Sequence, residues 1–242
     1  MKKLRKEFLE TIEFNIRKFG FHVTMVNSGV EPRYGYSIGL TSLFNLELVF
    51  AGGSYFFKDD LDRIFEAFFN HFKKGGKIDE PLEISGLGLF TLIPVHASWN
   101  KLMMLGIYDY YNIEVVNTFQ IIPDTNHYTM DIPNMEVKFD GNLEPVWKWL
   151  NYEWDYFAPA NSVVTTNMKA LFGETITEIM RWENTEWEMF AGPGPDVEED
   201  DMRVVSLATI LGIDNTVLPS LHLPLGKGLW RTEKDEDWNS WG

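Results

Sequence analysis

Phe21-His22-Val23-Thr24-Met25-Val26, a turn at Asn27-Ser28-Gly29, and Tyr34-Gly35-Tyr36-Ser37-Ile38-Gly39-Leu40 read as two strands of one sheet. Both runs are rich in β-branched and aromatic residues, and the small polar residues between them break the chain. Before the pair, Leu4, Phe8, Leu9, Ile12, Ile16 and Phe19 recur at helical spacing, and Gly20 supplies a stop. After it, Leu46-Glu47-Leu48-Val49-Phe50 reads as a third strand ended by Gly52-Gly53. Lys58 to Lys74 is the strongest helix signal: Leu61, Ile64, Phe65, Phe68, Phe69 and Phe72 form one apolar stripe. Acids open that helix and Lys73-Lys74-Gly75-Gly76 close it, as the helix dipole favours. Leu89 to Val95 then reads as a strand, Ser98 as the cap of a helix through Tyr111, and Glu114 to Ile122 as a strand ending at Pro123-Asp124. This order predicts an α+β layer on a mainly antiparallel sheet.

Asp140-Gly141-Asn142 is a turn and the best place for a boundary. Residues 1–142 and 143–242 are therefore expected to form two α+β domains, each a mainly antiparallel sheet with packed helices. In the second, Leu143 to Phe157 is expected to be a helix rich in Trp and Tyr, packed between the halves. Val163-Val164, Ile176 to Trp182 and Trp187 to Phe190 read as strands, and Gly192-Pro193-Gly194-Pro195 as a rigid loop. Val204 to Leu211 is apolar and leads to Asp214, a helix cap before Val217-Leu218. Trp238 and Trp241 look exposed in a polar tail, and no internal repeat is visible.

Composition narrows the function classes. The chain has no Cys, which removes disulfides, thiolate nucleophiles and Cys-ligated metals. No apolar run approaches the ~20 residues that span a bilayer, and acids at Glu7, Glu10 and Glu13 rule out a secretory signal in the amphipathic N-terminal segment. A cytoplasmic protein without membrane contact is expected. The net charge of −15 is uneven: residues 1–142 carry 14 Lys+Arg against 18 Asp+Glu, and residues 143–242 carry 7 against 18. Such a field disfavours direct nucleic-acid binding and attracts basic partners.

Groups for chemistry are sparse. His22, His71, His96, His127 and His222 form no i, i+4 pair, and no H-E-x-x-H occurs, so neither metal nor cofactor is expected. His22 and His96 fall near sheet strands, from which they could meet Asp124. With Ser37 they define a catalytic alternative, a ligand-binding or hydrolytic site in the first half, and Tyr34, Tyr36 and Gly39 would line its pocket. Packing and hydrogen bonding alone also account for each of these residues, and Ser37 lacks a G-x-S-x-G elbow. Asp196-Val197-Glu198-Glu199-Asp200-Asp201 lacks the ligand spacing of an EF-hand. It is either a solvated loop or a docking run for Lys and Arg of a partner.

Two resemblances cover nearly the whole chain. Gly20-Phe21-His22-Val23, Tyr34 to Leu40 and Gln120-Ile121-Ile122-Pro123-Asp124 resemble a bacterial domain family of unknown function, over about residues 20–133. Trp187-Glu188-Met189-Phe190-Ala191-Gly192, Leu207 to Asp214 and Leu223-Pro224-Leu225-Gly226 with Arg231 resemble an immunity-protein family of bacterial polymorphic toxin systems. Gly194-Pro195-Asp196 departs from that family by its added prolines. The second resemblance implies a non-catalytic binding protein that neutralises a toxin or another basic protein. The contact groups expected are Trp187, Glu188, Asp196, Glu198, Glu199, Asp200 and Asp201, with the ring anchoring and the carboxylates steering. Nothing in the sequence fixes the oligomeric state.

Overall fold

Six strands form the first sheet: β1 (His22–Val26), β2 (Tyr34–Ile38), β3 (Glu47–Ala51), β4 (Leu82–Ile84), β5 (Gly88–Pro94) and β6 (Thr118–Pro123). The computed structural model describes residues 2–242; Met1 and the side chains of Lys2 and Leu4 lie outside the described residues. The spatial order is β1-β2-β3-β6-β5-β4, antiparallel throughout except for β3 against β6. Around it lie α1 (Lys2–Phe19), α2 (Thr41–Phe44), α3 (Lys58–Lys73), α4 (Ala97–Met103) and α5 (Leu105–Tyr111).

Every residue of β3 is buried, so this sheet is covered on both faces. Leu48 and Phe50 meet the phenylalanine stripe of α3, whereas Val49 and Ala51 join Ile12 of α1 with Trp99, Met103 and Ile107 of α4 and α5. A central strand of nearly unbroken apolar residues suits that sandwiching.

Glu47 opens this strand fully buried. Ser37 Oγ donates to its Oε2 at 2.5 Å, and the Gly39 and Thr41 N–H groups donate to its Oε1 at 3.0 and 2.9 Å. Tyr111 in α5 donates its hydroxyl to the same Oε1 at 2.9 Å. Ser37 Oγ in turn accepts from the Leu48 N–H at 2.8 Å. Gly39 can aim its N–H inward because it sits at φ +123°, a region open to glycine.

The second sheet contains β7 (Val163–Asn167), β8 (Glu178–Glu183), β9 (Glu186–Phe190), β10 (Met202–Ser206), β11 (Lys227–Trp230) and β12 (Asn239–Trp241). Its order is β10-β7-β9-β8-β11-β12, and again one pair alone, β7 with β9, is parallel. Both sheets are thus mixed but mainly antiparallel, and the α+β expectation holds. Val164, Ile179, Trp187, Met189, Val205 and Leu229 point to one face. There they pack with Leu171 of α6 (Met168–Leu171), Leu207 and Ile210 of α7 (Leu207–Ile213), and Val217 and Leu221 of a 3-10 run, Asn215–His222. Asp214 caps that run by accepting from the Thr216 N–H, as its position predicts. The opposite face of the sheet carries no α-helix among the described residues; the 3-10 turn Gly194–Asp196 folds onto it at Glu178 and Phe190.

Three expectations need correction. The helix expected from Ser98 through Tyr111 is two, broken at Met104 (φ −113°, ψ 40°), and its cap is His96, whose Nδ1 accepts from the Ser98 N–H. The strand expected from Glu114 begins only at Thr118. Between Leu143 and Phe157 the structure has a single 3-10 turn, Lys148–Leu150, instead of a helix. Bulky rings are modest helix formers, and here Trp149, Trp154 and Tyr156 pack on one another at 4.7–5.7 Å instead. Val146 and Trp147 belong to the core of the first half, where the Trp147 indole donates to Asp131 O at 2.8 Å. The packing of that half therefore runs past residue 142. No helix among the described residues is long and apolar enough to cross a membrane.

Glu47→Ala would strand four buried or half-buried donors at once. A loss of about 3 kcal/mol or more in urea unfolding is expected, and a change within error of zero would refute the role assigned to this carboxyl group.

Candidate functional site

The residues of the catalytic alternative do not assemble. His22, on edge strand β1, pairs its Nδ1 with the Asn15 amide of α1 at 2.9 Å, and burial lowers its pKa. His96 is spent as the α4 cap. Ser37 is fully buried against Glu47, where no substrate reaches it. Asp124 accepts from the Leu89 N–H (2.9 Å), the Asn126 N–H (3.0 Å) and His127 Nδ1 (2.8 Å). These bonds, the Leu89 one foremost, hold its carboxyl below the ordinary range. Its partner is therefore His127, three residues on, and neither His22 nor His96.

Tyr34, Tyr36 and Gly39 are taken up by the core and by Glu47. The two rings stack at 6.4 Å inside the core, Tyr34 donates to Met103 O at 3.2 Å, and burial pushes its phenol up to about 12. Gly39 serves Glu47. The Asp124–His127 pair escaped the sequence reading, although D-x-x-H spacing after a strand was there to be seen. It is part-exposed, with the His127 ring edge-on to Tyr55 at 4.7 Å. Within the hydrogen-bond network of the described residues it activates no hydroxyl.

In the second half, strand parity separates the expected contact groups. Along Glu186-Trp187-Glu188-Met189-Phe190, Trp187 and Met189 point into the core and the two glutamates point out. Trp187 is 1% exposed, with the Arg181 guanidinium stacked 4.6 Å from its ring, so it anchors the fold and not a partner. Glu188 faces outward, paired across to Met180. The outward face also carries Trp182, Trp230 and Trp241, exposed by 49%, 45% and 38%. Trp241 stands opposite Gly228, where a side chain would collide with its indole. Trp238 is no exposed ring: its N–H donates to Thr216 O and Arg231 lies 4.1 Å over it. Arg231 itself is buried, bonded to Asp214, Thr216 and Ile176 O.

Asp196, Glu198, Glu199, Asp200 and Asp201 are all exposed in the link from β9 to β10, and none is in an ion pair among the described residues. The link folds back at Gly194, whose N–H donates to Glu178 on the outward face at 3.0 Å. Gly192, Pro193, Glu178 and Trp230 border one groove there. A carboxylate run thus sits beside an outward sheet face on which Met180 and Phe190 are buried, Phe190 with Gly194 of the link against its ring, and Trp182, Trp230 and Trp241 stay part-exposed.

Residues 15–128 match a family described as Domain of unknown function (DUF4262), in line with the resemblance read from Gly20 to Pro133. That match leaves the second half unassigned, and nothing in it corresponds to an immunity family. No curated protein and no solved structure matches the chain.

The lowered pKa of His22 fixes a sign. A histidine depressed from its ordinary 6.5 binds its proton more readily when unfolded, so its burial costs stability as pH falls through that value. Urea unfolding between about pH 7 and about pH 5 should show a decline that is smaller in His22→Gln; equal declines would place the proton elsewhere.

Proposed function

We propose that this protein is a non-catalytic binding protein that holds a basic protein partner on the open face of its second sheet. The observation that carries this reading is the group of part-exposed rings, Trp182, Trp230 and Trp241, on a sheet face without α-helical cover, beside an unpaired acidic link. Sheet faces in soluble proteins are usually covered or polar, and rings that protrude from one favour an interface, where Trp is enriched. Charge gives the partner's sign: residues 143–242 carry 7 Lys+Arg against 18 Asp+Glu, a balance of −11. Trp230 and Trp241 supply anchoring area, while Glu188, Glu198, Glu199, Asp200 and Asp201 steer approach. Immunity-type neutralisation of a basic toxin is the specific form that the sequence resemblance suggests.

The test is binding of the full chain to a panel of purified basic toxin domains, with protection scored in co-expression. For a member that binds, Trp230→Ala should speed dissociation about tenfold or more. The set E198Q/E199Q/D200N/D201N should slow association and flatten its salt dependence. Failure of every panel member to bind, or binding indifferent to both changes, would sink the reading.

A further inference from the structure

Between the two halves lies a cleft of about 330 Å³, bounded by the segments after β1 and β3 on one side and by β10 on the other. In a chain of net charge −15, its walls include two arginines, Arg33 and Arg203, and no Asp or Glu. Junctions between packed units are favoured places for small-molecule sites of this size.

The two arginines are in different states. Arg203 is committed: its N–H groups donate to Ser54 O, Tyr55 O, Asp200 O and Met202 O, with Phe57 4.5 Å beneath its plane. Arg33 donates from Nη2 to Phe56 O at 2.6 Å. Its Nε is shut from solvent without an acceptor; the charges of Asp131 and Asp60 act on the guanidinium from beyond ion-pair distance, and it is in no ion pair among the described residues. A desolvated donor left unpaired is costly, and the guanidinium fork matches carboxylate and phosphate oxygens.

Edge strand β10 adds a backbone donor. Leu207 N–H bonds to Ser162 O toward β7, while Met202 O accepts from Arg203 on the other side. Strand alternation then turns the N–H and C=O of Val204 away from β7 and toward the first half. Phe57 and Val204 supply apolar wall, and the exposed Ser28 stands at the rim.

We infer that this cleft binds a small organic oxyanion, a carboxylate or phosphate monoester with an apolar body. Arg33 is its counter-ion and the Val204 N–H a second donor. The site is distinct from the tryptophan-bearing part of the outward sheet face, and its test needs no protein partner.

Calorimetry and thermal unfolding of the full chain with benzoate, hexanoate and phenyl phosphate, against benzamide and inorganic phosphate, test this directly. At least one organic anion should bind saturably and raise the Tm, benzamide should not, and the carboxylate and phosphate arms identify the head group. Arg33→Gln should weaken binding about tenfold or more, with partial retention in Arg33→Lys. Because Arg33 also holds Phe56 O, Ser28→Asp is the second variant: it places a like charge at the rim, and should repel the anion while leaving the ligand-free Tm unchanged. No saturable binding by any organic anion, equal binding of benzamide, or affinity indifferent to both Arg33→Gln and Ser28→Asp would overturn the site. Inorganic phosphate binding as tightly as the organic anions would overturn the apolar half of the inference.

Discussion

Four donors from β2, the turn after it and α5 converge on the Glu47 carboxyl group at the head of the central strand. A carboxyl group taken out of water demands such partners, and meeting the demand fixes three elements relative to one another. β2 gives Ser37, the left-handed Gly39 lets the chain bend its N–H groups inward, and α5 is drawn onto the sheet by Tyr111. Burial and the neighbouring Glu47 raise the pKa of that tyrosine, which keeps its proton available for the bond. The Tyr-x-Tyr-Ser-Ile-Gly-Leu run is thereby explained as scaffold. Its hydroxyl and its glycine satisfy a buried acid instead of lining a cleft.

The two sheets share an interior plan and differ in cover. In each, a strand is followed by a crossover that brings a later strand back parallel beside it: β6 beside β3, after α3, the β4–β5 hairpin, α4 and α5, and β9 beside β7, after α6 and β8. In the first half that crossover includes α3, sixteen residues long, and further helices close the other face. In the second the crossover helix α6 has four residues, and all α-helical cover gathers on one side. One half is thus three layers and the other two, which leaves a sheet surface with tryptophan and glutamate for recognition.

How much of this was legible in the sequence follows from the range of the forces involved. The stripe of α3 and the strand at Tyr34–Ile38 are local patterns repeated over several turns or pleats, and both emerged within a residue or two. β4, three residues long, offers too little alternation to be seen. The parity that puts Trp187 inside was readable from its glutamate neighbours, and the sequence reading gave the ring a contact role in spite of it. The strand at Leu46–Phe50 was legible but the role of Glu47 in it was not, because its donor Tyr111 lies 64 residues away. The isolation of Arg33 and the grouping of the outward tryptophans are likewise products of tertiary placement, which no local window contains.

One strand end of the second sheet is shielded only by the other half of the molecule. Among the described residues β10 has no neighbour beyond β7, and the Arg203 clamp on Ser54 and Tyr55, with Ser206 Oγ on Val30 O, holds the first half against this edge so that no further strand can pair there. Severing the halves would bare a ready template for intermolecular pairing, so the first half acts as a built-in guard against aggregation of the second.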